Sequence, residues 1–118
     1  MIIWVDDIRP APKGCKWIKS VNEFKRWLEV NLSSLNAAKD FEADPFYQLH
    51  LDLDHDAGDF ARDGGDYIEV LNYLEQVRAK IFVKPRTHFK VLVHIHTMNP
   101  VGAENMRRII RKNKWEEI

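Results

Sequence analysis

Several things that would narrow a reading are scarce in this sequence. Cys15 is its one cysteine among 118 residues, so no disulfide can close within the chain, and a reducing compartment is the natural setting. No apolar run approaches the roughly 20 residues of a membrane span. The start, "MIIWVDDIRP", has neither the basic end nor the long apolar stretch of a signal peptide. A cytoplasmic protein with no membrane partner is expected. Net charge is missing too: 18 Lys and Arg balance 18 Asp and Glu, which excludes a globally basic or acidic chain and neither favours nor excludes nucleic acid. There is no internal repeat, low-complexity tract or linker, and the length suits a single domain over residues 1–118 with one main site.

What is present is a series of short apolar runs that end in acids or histidines. "MIIWV" is rich in β-branched residues and is cut off by Asp6, Asp7, Pro10 and Pro12, which reads as a buried strand delivering two carboxylates at its C-terminal end. Ser20 and Glu23 make the S-x-x-E pattern of a helix start, and Val21, Phe24, Trp27, Leu28 and Leu35 supply an apolar face. After a polar stretch over 36–45, "FYQLHLDLDHD" alternates: Leu49, Leu51 and Leu53 face one way, His50, Asp52 and Asp54 the other. "AGDFARDGG" reads as a flexible loop able to close over a site, and Asp66 with Glu69 opens a helix facing inward through Tyr67, Val70, Leu71, Leu74 and Val77. "KIFVKPRTHF" offers a short strand before Pro85, and "KVLVHIHT" reads as a strand ended by Asn99 and Pro100. The same two residues cap a last helix whose inner face is Met106, Ile109 and Ile110.

Strands separated by helices imply right-handed crossovers and a mostly parallel sheet with helices on both faces, a three-layer α/β fold. Ligands in such folds bind beyond the C-terminal strand ends. Three polar clusters meet there: Asp6 and Asp7; Asp54, His55 and Asp56; His96, Thr97 and Asn99. Two acids after a strand also make an ordinary solvated turn, but Asp6, Asp7, Asp54 and Asp56 together would repel one another without a divalent cation. Their hard oxygens suit Mg²⁺ or Mn²⁺. His55 and His96 are positioned to move protons or bind a softer metal, whereas His50 and His94 lie deeper in their strands with core or supporting roles. The "HTMNPVGAENM" turn resembles a phosphate seat, with Thr97, Asn99, Gly102 and Asn105 near a helix start; a helix cap without ligand is the alternative. Arg9 either clamps a phosphate or neutralises Asp6 or Asp7. Arg107, Arg108, Arg111, Lys112 and Lys114 form either a solvated helix face or an RNA contact, and the four tryptophans read as packing residues.

"WVDDIRPAPKGCKWIKS", "LDLDHDAGD" and "VHIHTMNPVGAENM", in this order, resemble the cyclic-phosphate processing receiver-like domain family, and the likeness covers nearly the whole chain. The resemblance implies a flavodoxin/receiver-like fold, with Asp54 at the place of the phospho-accepting aspartate. It implies a phosphorylated nucleotide or an RNA end as ligand, with RNA a possible partner and no reading of DNA sequence. Asp52 stands where the family usually has a small hydroxylic residue, so it either alters metal preference or pairs with His50. No lysine follows the last strand as in phosphorelay receivers. The leading expectation is a metal-dependent phosphoesterase for a cyclic phosphate: Asp54, His55 and His96 catalytic; Asp6, Asp7, Asp54 and Asp56 on the cation; Arg9, Thr97, Asn99, Gly102 and Asn105 on phosphate. The alternative is a non-catalytic module that binds a phosphorylated nucleotide or signalling ligand.

Overall fold

In the computed structural model, which describes residues 2–37, 48–81 and 90–118, five parallel strands form one sheet in the order β2-β1-β3-β4-β5. β1 (Ile2–Val5) is the apolar run that begins the sequence, β3 (Gln48–Leu53) is the alternating run and β4 (Lys90–Ile95) the strand read from "KVLVHIHT". Their inward residues are Ile3, Val5, Leu49, Leu51, Leu53, Val91 and Val93, all buried. Two strands escape the sequence reading. β2 (Cys15–Ile18) is a four-residue edge interrupted by Lys16, and β5 (Glu116–Glu117) holds two glutamates to β4 by backbone pairing alone. Neither has the apolar periodicity that marks a strand.

Three helices close the core: α1 (Val21–Ala37), α2 (Ile68–Ile81) and α3 (Pro100–Lys112). α1 starts as the S-x-x-E pattern predicts, with the Glu23 amide donating to Ser20 Oγ at 3.1 Å and Glu23 Oε2 accepting the Lys19 amide at 3.2 Å. Val21, Phe24 and Leu28 are buried with Trp27 packed beside them; the side chain of Leu35 lies outside the described residues. Asp66 does not cap α2 through its side chain, which instead accepts the Ala57 amide at 3.0 Å; Tyr67, Val70, Leu71, Leu74 and Val77 are buried as expected. At α3 the expected cap is present: Asn99 Oδ1 accepts the Gly102 amide at 2.9 Å and Pro100 occupies the first turn. The strand expected just before Pro85 lies outside the described residues apart from Lys80 and Ile81, which belong to α2. No helix among the described residues is long and apolar enough to cross a membrane.

The flavodoxin-like order with all strands parallel is the receiver-like α/β fold expected. From β2 onward each crossover advances in the same direction along the sheet, so right-handed connections put α1, α2 and α3 on one face. They share one apolar cluster with the inward strand residues. The expected second helical layer is not found among the described residues. Residues 6–14, which join β1 to β2, contain Pro10 and Pro12 and form no helix. On that other face the register aligns Trp17, Trp4, Asp52 and His94 across four strands. His94 is exposed there, with Nδ1 3.1 Å from the Ile118 carbonyl oxygen, and is not a core residue.

The segment after β3 is more tightly held than a flexible loop. Gly58–Arg62 forms a 3-10 turn, and Asp63 just beyond it accepts from Ser20 Oγ at 2.6 Å and Asn22 Nδ2 at 3.0 Å, fastening the segment to the start of α1. A one-sided core makes the two faces of β3 unequal. Leu51→Ala is expected to cost about 2–5 kcal/mol, and His50→Ala, one residue away on the opposite face, about 0.5 kcal/mol or less. Urea unfolding of the two variants checks this, and equal costs would contradict a one-sided core.

Candidate active site

Backbone pairing continues past the strand ends and draws the three polar clusters together. The Asp54 amide donates to the Val5 carbonyl at 2.9 Å and the His96 amide to the Leu53 carbonyl at 2.8 Å. The first acids past β1 and β3 therefore emerge side by side, with His96 next along the edge. Carboxylate oxygens of Asp6, Asp7 and Asp54 lie within 4.8 Å of one another.

Asp6 and Asp7 are adjacent in sequence but differ in environment. Asp6 is 1% exposed; its Oδ1 accepts the amides of Ile8 and Arg9, each at 2.9 Å, and its Oδ2 lies 2.9 Å from His96 Nε2. Burial alone would raise its pKa, but the two amides and the His96 ring outweigh burial and hold it below the ordinary value. Asp7 moves the other way, pushed up by burial and by the charges of Asp6 and Asp54. Gly58 makes room for it: a Cβ there would come within 2.4 Å of Asp7 Oδ2, and its φ of +56° is one that glycine adopts freely. Asp54 Oδ1 accepts the His55 amide at 2.7 Å.

The two site histidines are held differently. His96 Nδ1 meets Asp52, its Nε2 meets Asp6, and its ring stacks on the Trp4 indole with centroids 4.1 Å apart and planes 9° from parallel. Both nitrogens are thus occupied by carboxylates. Burial would lower the His96 pKa, yet Asp52 and Asp6 together raise it above its ordinary value. His55 has Nδ1 2.9 Å from Asp56 Oδ1 and 3.4 Å from Asn99 Nδ2. Its ring lies over α3, where a Cβ on Gly102 would come within 2.5 Å of it. The glycine at this position admits the imidazole.

The sequence-predicted residues divide accordingly. Asp56 does not join Asp6, Asp7 and Asp54; it groups with His55 and Asp66, and the His55 ring holds its pKa low. Thr97 Oγ1 accepts the Asn99 amide at 3.2 Å. The α3 start is largely occupied by its own cap: Pro100 has no N–H, and the Gly102 and Ala103 amides both donate to Asn99. Arg9 directs Nη1 to the His96 carbonyl at 3.5 Å, and it is the Arg9 amide that meets the Asp6 carboxylate. Asn105 stands exposed on α3 and takes no part in these contacts. Farther along α3, Arg107, Arg111 and Lys112 pair with Glu117, Glu104 and Glu75, as on an ordinary solvated face.

Three residues have partners that the sequence reading does not give: Asp52, Trp4 and Trp17. Asp52 pairs with His96 rather than His50. Trp4 and Trp17, read as packing residues, donate their indole N–H groups to the Arg9 and Asp6 carbonyls at 2.9 and 2.8 Å, pinning the acid turn. Strand parity was the available signal, because residues 52, 94 and 96 fall on one face once β3 and β4 are adjacent.

A family model described as the cyclic-phosphate processing receiver domain matches residues 1–112. No curated protein and no solved structure matches the chain.

The paired His96 has a pH signature. Because its folded pKa is raised, its stabilising contribution is fully present below the ordinary value of 6.5 and is lost as pH rises through the higher folded value. Asp6, with a lowered pKa, keeps its contribution over that range and loses it only in acid. The stability gap between wild type and His96→Gln, from urea unfolding in chelator-treated buffer, is therefore expected to shrink from about pH 6 to about pH 9. A constant gap would contradict the raised pKa.

Proposed function

Because the chain belongs to the cyclic-phosphate processing receiver domain family, we propose that it hydrolyses a cyclic phosphate of a nucleotide or RNA end with the help of a divalent cation. The observation that carries this reading is the meeting, at one sheet edge, of three close carboxylates and a histidine oriented by its own aspartate.

The carboxylates fit a hard cation such as Mg²⁺ or Mn²⁺. Their donor set is all oxygen, and Asp7 has its pKa raised by burial and by the charges of Asp6 and Asp54, a cost that a divalent charge would relieve. Asp7 and Asp54 would hold the ion, with Asp6 beside them. When bound, it supplies Lewis acidity to a phosphoryl oxygen and makes a coordinated water more acidic.

The chain's own residues supply the proton path. His55 Nδ1 lies 2.9 Å from Asp56 Oδ1, and the tautomer that donates Nδ1–H to this carboxylate leaves Nε2 as the atom to exchange a proton. Opening a cyclic phosphate adds water across one P–O bond: the water oxygen bonds to phosphorus, the ring P–O bond breaks, and the proton lost by water ends on the departing oxygen. One imidazole can take that proton and return it. Asn99 steadies Asp56 at 3.4 Å, and Thr97 and Arg9 lie in adjoining turns, suited to contact the non-bridging oxygens. His96, with both nitrogens engaged, acts as a fixed positive partner of the acid cluster rather than as a proton carrier.

The test is turnover of 2′,3′-cyclic and 3′,5′-cyclic nucleotides and cyclic-phosphate-ended RNA with Mg²⁺ or Mn²⁺, read by mass spectrometry. Wild type is expected to yield the corresponding phosphomonoester, and Asp54→Asn and His55→Ala to fall by about 100-fold or more. Unchanged turnover in both variants would sink the scheme. Tight retention of an unaltered ligand by wild type would instead identify a binding module.

A further inference from the structure

Asp52 pairs with a site histidine, yet the proposed chemistry gives it no role. It stands on β3 on the sheet face away from the helices, in register with Trp4 on one side and His94 on the other. It adds nothing to the apolar core, and its side chain is 18% exposed. We propose that Asp52 is the positioning residue of the acid cluster, acting through His96 to fix Asp6 and so to leave Asp7 and Asp54 as the cation-holding carboxylates. This rests on the cation-dependent reading above.

The geometry forms a chain of constraints. Stacking on Trp4 fixes the plane of the His96 ring, but a stacked ring can still rotate within that plane or flip. Two carboxylates at opposite nitrogens, Asp52 at Nδ1 and Asp6 at Nε2, remove that freedom. Asp6 is then held from three sides, by His96 and by the Ile8 and Arg9 amides. The indole N–H groups of Trp17 and Trp4 hold the carbonyls of Asp6 and Arg9, so the turn containing Asp7 is fastened before and after it. Asp7 is thereby set against Gly58, beside Asp54. Supporting partners that orient a metal ligand typically matter about 10- to 100-fold in metal affinity.

Substitutions at position 52 separate positioning from bulk stability. In Asp52→Asn the amide either accepts from or donates to His96 Nδ1, so the ring keeps its orientation whichever proton it carries. Asp52→Ala leaves that nitrogen to water. His50→Ala, on the same face but without contact to His96, is the control. The first readout needs no metal: hydrogen exchange of the Ile8 and Arg9 amides, which report the Asp6 turn, against the Leu71 amide in α2, which reports global opening. The second is the Mn²⁺ dissociation constant of the full chain by electron paramagnetic resonance.

Asp52→Ala is expected to speed exchange at Ile8 and Arg9 but not at Leu71 and to weaken Mn²⁺ binding by about 10-fold or more. Asp52→Asn and His50→Ala are expected to match wild type in both readouts. If Asp52→Ala also matches wild type, or if Asp52→Asn fails as badly as Asp52→Ala, the positioning role is overturned while the cation reading stands. Wild type that binds no Mn²⁺ would overturn the cation reading and this inference together.

Discussion

Carboxylates gathered at one sheet edge repel one another, and in this protein the repulsion is met first by an imidazole. His96 lies between Asp6 and Asp52 with a nitrogen toward each, its ring flat against Trp4. Against the effect of burial, the two carboxylates raise the pKa of His96, and its ring adds to the Arg9 and Ile8 amides in holding Asp6 low, since each group favours the charged form of its neighbour. Asp7, outside this arrangement, is left with a raised pKa through burial and the charges of Asp6 and Asp54.

That arrangement depends on the sheet having one apolar face and one polar face. The face under α1, α2 and α3 is filled by leucine, isoleucine and valine, which fixes the strand register because a one-residue slip would turn the polar residues inward. The opposite face is then free to carry Trp4, Trp17 and Asp52, whose polar atoms reach round the strand ends to hold the acid turn from behind. Supporting residues and reacting residues thus approach the same few atoms from different sides. The same side-chain alternation that builds the core also selects the support.

Close approach sets the second constraint. Gly58 admits the Asp7 carboxylate and Gly102 admits the His55 ring, at distances where any Cβ would collide. Each glycine belongs to a different site-forming segment, so the cluster is as compact as its backbone allows. Ser20, Asn22 and Asp63 tie one of those segments to α1, so the site shares its foundations with the helical layer.

The sequence by itself determined strands β1, β3 and β4, the caps of α1 and α3, and the meeting of Asp6, Asp7, Asp54, His55 and His96 at one edge. Periodicity, capping and strand polarity are local properties, readable along the chain. β2 and β5 were not readable because four and two residues are too short to show a period, and pairing with a neighbouring strand is what defines them. The tertiary structure alone decided which partner each acid takes: Asp56 with His55, Asp52 with His96, Asp66 with the Ala57 amide. A carboxylate's partner is whatever donor the fold brings within hydrogen-bonding distance, and residues 52 and 96 become neighbours only when β4 docks on β3.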